Sequence, residues 1–298
     1  MAAETTKTSL TEIVNSEQIQ MLMLDYAYDK LVVFPLVRVA NLSGAKTGTA
    51  SFPAWEKDAA EDLTTEGTTT LSNVELQTTE NATITAASVG ILREVTEYAF
   101  ETNLLGRDQL IDFIVRDGGY LCMEMLEDDL CALFASASSS VGTSGVDLSV
   151  ANFVEAIAKL DTNKARGRKV CVLDDQQSAD LRTGVAASGA SVFANAAAGA
   201  QSILNARSDG YVGELFGVPI WMTNLTDTAN TNADVVGIMM IDGAQNPANA
   251  PIGVAMLWEP RMRELMLPNE QTTQLAISAA FGCGEISDFN YCKIVTDA

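Results

Sequence analysis

The stretch from Leu104 to Ala135, LLGRDQLIDFIVRDGGYLCMEMLEDDLCALFA, keeps one helical apolar period for about nine turns. Ile111, Val115, Cys122, Leu126 and Leu133 fall on one face, with Ile114, Leu121, Met125 and Ala132 beside them, while acids and arginines fill the rest. At about 1.5 Å per residue the predicted helix is roughly 48 Å long, more than a compact single domain needs. It restricts the chain to folds in which separate lobes attach to a rod. Gly118 and Gly119 interrupt it at a cost of about 1 kcal/mol each relative to alanine, which predicts either a bend or a close approach by something else.

Composition supports lobes with real cores: 298 residues with 47% hydrophobic and 19% charged content suffice for one large or two modest domains. Setting 39 acids against 18 bases leaves a formal charge of −21, which argues against phosphate neutralisation and against anionic membranes. No signal pattern opens the sequence and no apolar run approaches a membrane span, so a cytoplasmic place of synthesis is expected. Cys122, Cys131, Cys171, Cys283 and Cys292 show no CxxC spacing, which fits reduced, mostly buried thiols. The chain has no histidine, which excludes the usual catalytic triads and most zinc sites.

Along the chain, Asn15 and Gln18 start a predicted helix over Glu17 to Lys30, and Leu31 to Ala40 reads as a β-type run that Pro35 confines to an edge or an arm. Gly44 to Glu80 is threonine-rich, acidic and poor in core residues. Extended halves around Thr47 to Trp55 and Thr69 to Gln77 predict a long two-stranded hairpin that needs a partner surface to be stable. Between Phe52 and Glu80 seven acids, Glu56, Asp58, Glu61, Asp62, Glu66, Glu75 and Glu80, face Lys57 alone. Asn81 to Tyr98 reads as a strand leading into the long helix, and Leu148 to Leu160 as a second amphipathic helix. From Arg166, strands at Lys169 to Leu173, Gly213 to Asn224, Val235 to Ile241 and Ile252 to Trp258 mix with a helix at Asp174 to Arg182 and an alanine-rich stretch at Val185 to Ala206. That mixture predicts an α/β lobe over about 166 to 250. Arg261 to Leu267, Thr272 to Phe281 and Phe289 to Val295 are β again and are expected to pair with the strand near Ile84 to Val95.

The order of arm, acidic hairpin, strand, long helix, second helix, inserted α/β lobe and closing strands resembles the major capsid proteins of tailed bacteriophages with the Hong Kong 97 fold. The local motifs agree: Ala54-Trp55 through Glu66-Gly67, then Val74-Glu75-Leu76 and ITAASVGILREVTEYAFE, look like that family's extended loop and following strand. GELFGVPIWMTN with Gly217-Val218-Pro219 looks like its axial Gly-x-Pro strand, and the run from Arg263 like its closing sheet. The resemblance implies an α+β fold with an N-terminal arm (1–43), an extended β-hairpin loop (44–80), a peripheral domain (81–165 and 251–298) holding the spine helix (104–135), and an inserted axial domain (166–250). It further implies pentamers and hexamers in an icosahedral head enclosing double-stranded DNA, with assembly in the host cytoplasm and residence in the virion. A portal protein, a separate scaffolding protein and a decoration protein are the implied partners, with DNA only loosely held. An encapsulin-type compartment shares the fold and is the alternative.

Under that reading the hairpin acids Glu56, Glu61, Asp62 and Glu66 dock on an arginine-bearing surface of the next subunit, for which Arg93, Arg261 and Arg263 are the candidates. Phe52 and Trp55, in a segment too polar to bury them, are candidate intersubunit anchors or else a cluster at the hairpin base. Lys46 and Lys57 are ordinary surface lysines, with no assignable asparagine for a covalent cross-link. Glu124, Glu127, Asp128 and Asp129 oppose the dipole at the end of the long helix, which calls for arginines or a calcium ion, or for solvation of those left over. Asp174-Asp175 and Asp242 end apolar strands, as in a magnesium-dependent phosphotransfer enzyme. Gln177 three positions on from Asp174 gives a capping explanation, however, and Asp242-Gly243 is a turn dipeptide with no phosphate loop nearby. No catalytic residue, cofactor or metal is therefore expected.

Overall fold

The computed structural model describes residues 31–45, 47–53, 82–102, 107–187, 210–226, 228–229 and 233–297. In chain order the strands are β1 (Arg38–Asn41), β2 (Thr49–Phe52), β3 (Ala82–Thr85), β4 (Ala87–Thr96), β5 (Ser140–Val141), β6 (Lys169–Leu173), β7 (Tyr211–Leu215), β8 (Val218–Met222), β9 (Thr228–Ala229), β10 (Asp234–Ile241), β11 (Ile252–Leu267), β12 (Thr272–Glu285) and β13 (Tyr291–Asp297). The helices are α1 (Glu97–Thr102), α2 (Arg107–Ala132), α3 (Val150–Thr162) and α4 (Asp175–Ala187). The strands form a four-stranded sheet in the order β1-β11-β12-β4, a seven-stranded sheet in the order β5-β13-β10-β6-β8-β7 with β9 on β10, and the pair β2-β3.

The long helix falls where its periodicity puts it, as α2, and tightens into a 3-10 turn at Leu133–Ser136. It lies across one face of the four-stranded sheet, and Gly118 is the point of contact. A Cβ there would sit 2.2 Å from Cδ1 of Ile277 on β12, so the glycine serves a close approach. Ile111, Val115, Cys122 and Leu126 are buried as their spacing predicts, but so are Met123, Leu130 and Cys131, while Met125 is exposed. The buried stripe widens because the second half of α2 is enclosed by both sheets. Its core joins Leu275, Ile277 and Ala279 of one sheet to Val172, Val236, Ile238 and Met240 of the other.

β10 is buried along its whole length, since α2 covers one face of its sheet and α3 with α4 the other. On the second face Met239 and Ile241 meet Phe153 and Leu160 of α3 and Leu181 of α4. Ser149 caps α3, its Oγ accepting the Asn152 N–H at 3.2 Å.

Three expectations change. The run from Leu31 to Ala40 is not one strand: Pro35 sits in a 3-10 turn at Phe34–Leu36, and only Arg38–Asn41 pairs, as an edge strand parallel to β11. Ile252–Trp258 and Arg261–Leu267 are a single strand, β11, that slips register between Met256 and Arg261 around Pro260. Finally, β13 does not join the sheet of β4. After β12, Ile286 N–H and Ser287 N–H both donate to Pro251 O, which turns the chain toward β10, and β13 runs antiparallel to it from Tyr291 to Asp297. The expected helix at 17–30, most of the extended loop and the stretch after 187 lie outside the described residues.

Candidate functional site

The hairpin predicted over 44–80 has its root in the described residues. β2 and β3 pair antiparallel, with Thr49 opposite Thr85 and Phe52 opposite Ala82, so the chain between leaves and returns at one point. The root rests on the face of the four-stranded sheet opposite α2, over a floor of glycines. A Cβ on Gly282 would stand 2.2 Å from Thr85 O, and one on Gly253 3.2 Å from the Phe52 ring. Phe52 is the bolt in this contact: it is 1% exposed, packs with Ala50, Ile84 and Ala255, and carries the Arg38 guanidinium 5.1 Å above its ring centre. Of the two readings for Phe52, the cluster at the hairpin base is the one realised, and the intersubunit anchor is corrected. Trp55, Glu56, Glu61, Asp62, Glu66, Lys46 and Lys57 lie outside the described residues.

The three candidate arginines divide between the two faces of the sheet. Ile277 points at α2, so its neighbours Ala276 and Ser278 point away, and the residues paired with them share their face. Successive rows on that outer face are Trp258, Ala280 and Ser88; then Arg261, Ser278 and Gly90; then Arg263, Ala276 and Leu92; then Leu265, Gln274 and Glu94. Arg261 stacks 4.5 Å over the Trp258 ring, and both its Nε and the indole Nε1 are buried with no hydrogen-bond partner among the described residues. Arg263 is exposed beside Leu92 and Leu265, which are 60% and 57% exposed. The result is a shallow trough, floored by Ala276, Ser278 and Gly90 and edged with apolar and cationic side chains. Arg93 is absent from it: opposite Leu275, it faces α2 and pairs with Asp117 at 3.1 Å.

No sequence-family model and no curated protein sequence matches the chain. Solved structures do. The capsid structure of the cyanophage P-SCSP1u aligns with a TM-score of 0.64 at 12% identity, covering 89% of this chain and 88% of that one. A chain of Mycobacterium phage Che8 aligns at 0.62 and 13% identity, covering 89% and 90%. This chain has the Hong Kong 97 capsid fold. The holo-SrpI encapsulin complex of Synechococcus elongatus PCC 7942 shares it, at 0.60 and 9% identity over 89% of this chain and 87% of that one.

Within the Hong Kong 97 fold, α2 is the spine helix, and its acidic end is compensated in a way no charge pattern suggested. Glu127 is 2% exposed and turned into the core. Its Oε1 accepts Val32 N–H at 2.8 Å and Val33 N–H at 2.5 Å, and its Oε2 accepts Phe34 N–H at 3.1 Å. These are the open donors at the start of the 3-10 turn, where Pro35 has no N–H to offer, so the carboxylate caps it from 93 to 95 residues away. Burial pushes the Glu127 pKa up, against the three N–H donors that pull it down. Glu124 accepts the Tyr120 hydroxyl, and Asp128 and Asp129 are exposed. Arginines and calcium, the two compensations expected, are thus replaced at Glu127 by backbone. Among the described residues no group of three or more potential ligands is gathered for a metal.

The strand-end aspartates are likewise occupied. Asp174 Oδ1 accepts Gln176 N–H at 2.9 Å and its Oδ2 accepts the Thr226 hydroxyl at 2.6 Å. Gln177 Oε1 accepts Asp174 N–H at 3.3 Å, which completes the cap. Its Nε2 reaches Val235 O, Ile294 O and the Thr296 hydroxyl. Asp242 Oδ1 accepts the N–H groups of Ala244 and Gln245, as a turn requires. The cap expected of Gln177 is present, but its burial and its reach to β10 and β13 were not expected, and the only signal that Glu127 is buried was its place in line with Met123, Leu130 and Phe134.

Proposed function

We propose that this chain is the major capsid protein of a tailed bacteriophage, a subunit that self-assembles into pentamers and hexamers and closes them into an icosahedral head around double-stranded DNA. The observation that carries the reading is the likeness to phage capsid structures over nine-tenths of both chains. The hairpin root supports it, because β2 and β3 pair as the base of a hairpin whose intervening sequence is acidic and threonine-rich, as the extended-loop reading requires. In this reading the arm is 1–43 and the extended loop 44–80, the peripheral domain is built on the four-stranded sheet with the spine helix, and the axial domain is built on the seven-stranded sheet, which takes β5 and β13 in addition to the strands of 166–250. Glu56, Glu61, Asp62 and Glu66 seat on the trough of the next subunit, where Arg261 and Arg263 stand, and Trp55 supplies an apolar contact. A portal protein and a separate scaffolding protein complete assembly in the host cytoplasm, and the finished virion surface is the place for a decoration protein. The formal charge of −21 keeps packaged DNA loosely confined.

Electron microscopy of purified protein, with its nucleic-acid content measured, tests the reading. Closed shells are expected; a subunit that stays monomeric at every concentration refutes it. The likeness to the SrpI encapsulin favours a second reading, a protein compartment, which shells recovered with enzyme cargo and no nucleic acid in the native host would establish. Reversing Glu61, Asp62 and Glu66 to lysine tests the docking: folded subunits that fail to close are expected, and normal shells would end the idea.

A further inference from the structure

The seven-stranded sheet is electrically lopsided along its strands. β6 is entered through Lys164-Ala165-Arg166-Gly167-Arg168-Lys169, which places four of the chain's 18 basic residues in six positions. Lys169 pairs with Asp161, whereas Arg166 and Arg168 are exposed and form no ion pair among the described residues. β8 runs parallel to β6 with Cys171 opposite Ile220, so both strands start level, and the Phe216-Gly217 turn between β7 and β8 stands at this basic end. Phe216 holds φ at 52°, a left-handed conformation that costs a bulky side chain, and its ring is 55% exposed. Among the described residues nothing offsets that strain by burying it. Glu214 is the one exposed acid that β7 brings to this end.

The other end of the same sheet is acidic. There β6 runs into Asp174-Asp175, β10 begins at Asp234, and β13 ends at Asp297 directly opposite it. Asp147 and Asp180 join them: burial and then repulsion by Asp147 and Asp297 push the Asp180 pKa up against hydrogen bonds from Leu148 N–H and Gln176, and Asp180 Oδ2 is buried with no hydrogen-bond partner of its own among the described residues. Asp147, Asp175 and Asp297 are exposed and form no ion pair among the described residues. Along the eight residues of β10 the ends are about 23 Å apart, roughly three screening lengths at physiological salt, so they cannot neutralise one another.

We propose that this sheet docks head to tail in a ring, the end bearing Arg166, Arg168 and Phe216 in one copy seated on the end bearing Asp147 and Asp297 in the next. The proposal rests on the shell reading and names the contact that would build its rings. Complementary charge selects a second copy as the occupant, because a chain of −21 repels its own kind unless its few concentrated cations meet its acids. Arginine beside an exposed aromatic is the composition of an energetic contact. Two different ends that fit one another make a heterologous contact, which does not stop at a two-fold dimer and generates a ring when its rotation closes.

The test uses two double variants of the full chain, Arg166→Glu with Arg168→Glu, and Asp147→Arg with Asp297→Arg, followed by native mass spectrometry and microscopy, with circular dichroism to verify folding. Each alone is expected to raise the concentration needed for rings by about tenfold or more. Mixed in equal amounts, they are expected to form even-membered rings again, since acid ends then face basic ends throughout. Wild-type assembly by either folded variant alone, or failure of the mixture to assemble, overturns the proposal. So does unchanged assembly with loss of co-purifying nucleic acid from the arginine variant, which would assign the patch to DNA. A wild-type chain that forms neither rings nor shells removes the shell reading itself, and this inference with it.

Discussion

Replacing Glu127 by alanine should destabilise the isolated subunit more than any other single change to a charged residue on α2. The substitution strips the acceptor from Val32, Val33 and Phe34 N–H, the first two buried and the third partly so. An unsatisfied buried N–H costs about 1–3 kcal/mol, and removing a buried carboxylate returns part of its own desolvation penalty, so the net loss is about 3 kcal/mol. Glutamine is the discriminating control. Both buried donors share Oε1, so one amide oxygen can keep them while the amide nitrogen confronts Phe34 N–H, at a cost of about 1–2 kcal/mol. For a chain of this size about 2 °C in Tm corresponds to each kcal/mol, which gives drops of about 6 °C and about 3 °C. Differential scanning fluorimetry of unassembled subunits reads both, and tryptic cleavage after Arg38 should quicken in the same order as the apolar segment at 31–37 loosens. Equal losses for the two variants, or an alanine variant within about 1 kcal/mol of wild type, would refute the capping argument. The pH dependence has a definite sign. Because burial raises the folded pKa above that of an unfolded glutamate, this group's stability is greatest below the unfolded value and declines as pH rises through the folded one. The glutamine variant should lack that slope.

Three further changes probe the same packing. Gly118→Ala should cost about 1–3 kcal/mol by driving its new methyl into Ile277 Cδ1, and Ile277→Val in the same chain should recover part of the loss, as a double-mutant cycle would measure. Gln177→Ala should cost about 2–4 kcal/mol in chemical denaturation, since Val235 O, Ile294 O and the Thr296 hydroxyl lose their shared donor. Burial raises the Cys283 and Cys292 thiols to about 11 and lifts Cys171 further. At pH 8 the folded protein should therefore react slowly with a thiol reagent, with half-buried Cys283 first, and all five thiols should respond only after unfolding.

What the sequence made legible was what periodicity encodes. The long helix, α3, β6 and β10 stand where their apolar spacing places them, because each buries a stripe or a whole strand whose pattern is local. Partner choice is not local. Nothing in YCKIVTD distinguishes a strand of one sheet from a strand of the other, and the redirecting hydrogen bonds to Pro251 O come from backbone that every residue has. Likewise, Phe52 looked homeless in a polar segment because Gly253 and Ala255, which make room for it, lie some two hundred residues away. Glu127 was misread for a related reason: a carboxylate in a cluster of acids invites a cation, and only the fold brings it three N–H groups. Arg93 and Arg263 are indistinguishable by composition; the pleat alone sends one to the helix and the other to solvent.

β12 is pressed from both sides. Gly282 and Gly284 bear the foot of the hairpin, and Ile277, a few residues along the same strand, bears the middle of the long helix at Gly118. The foot of the hairpin and the rod thus sit on opposite faces of one strand, a single peptide layer apart, with the Ile277 side chain alone between that strand and Gly118. Swapping any of these glycines for a bulkier residue would alter the spacing between hairpin foot and rod even where the fold survives.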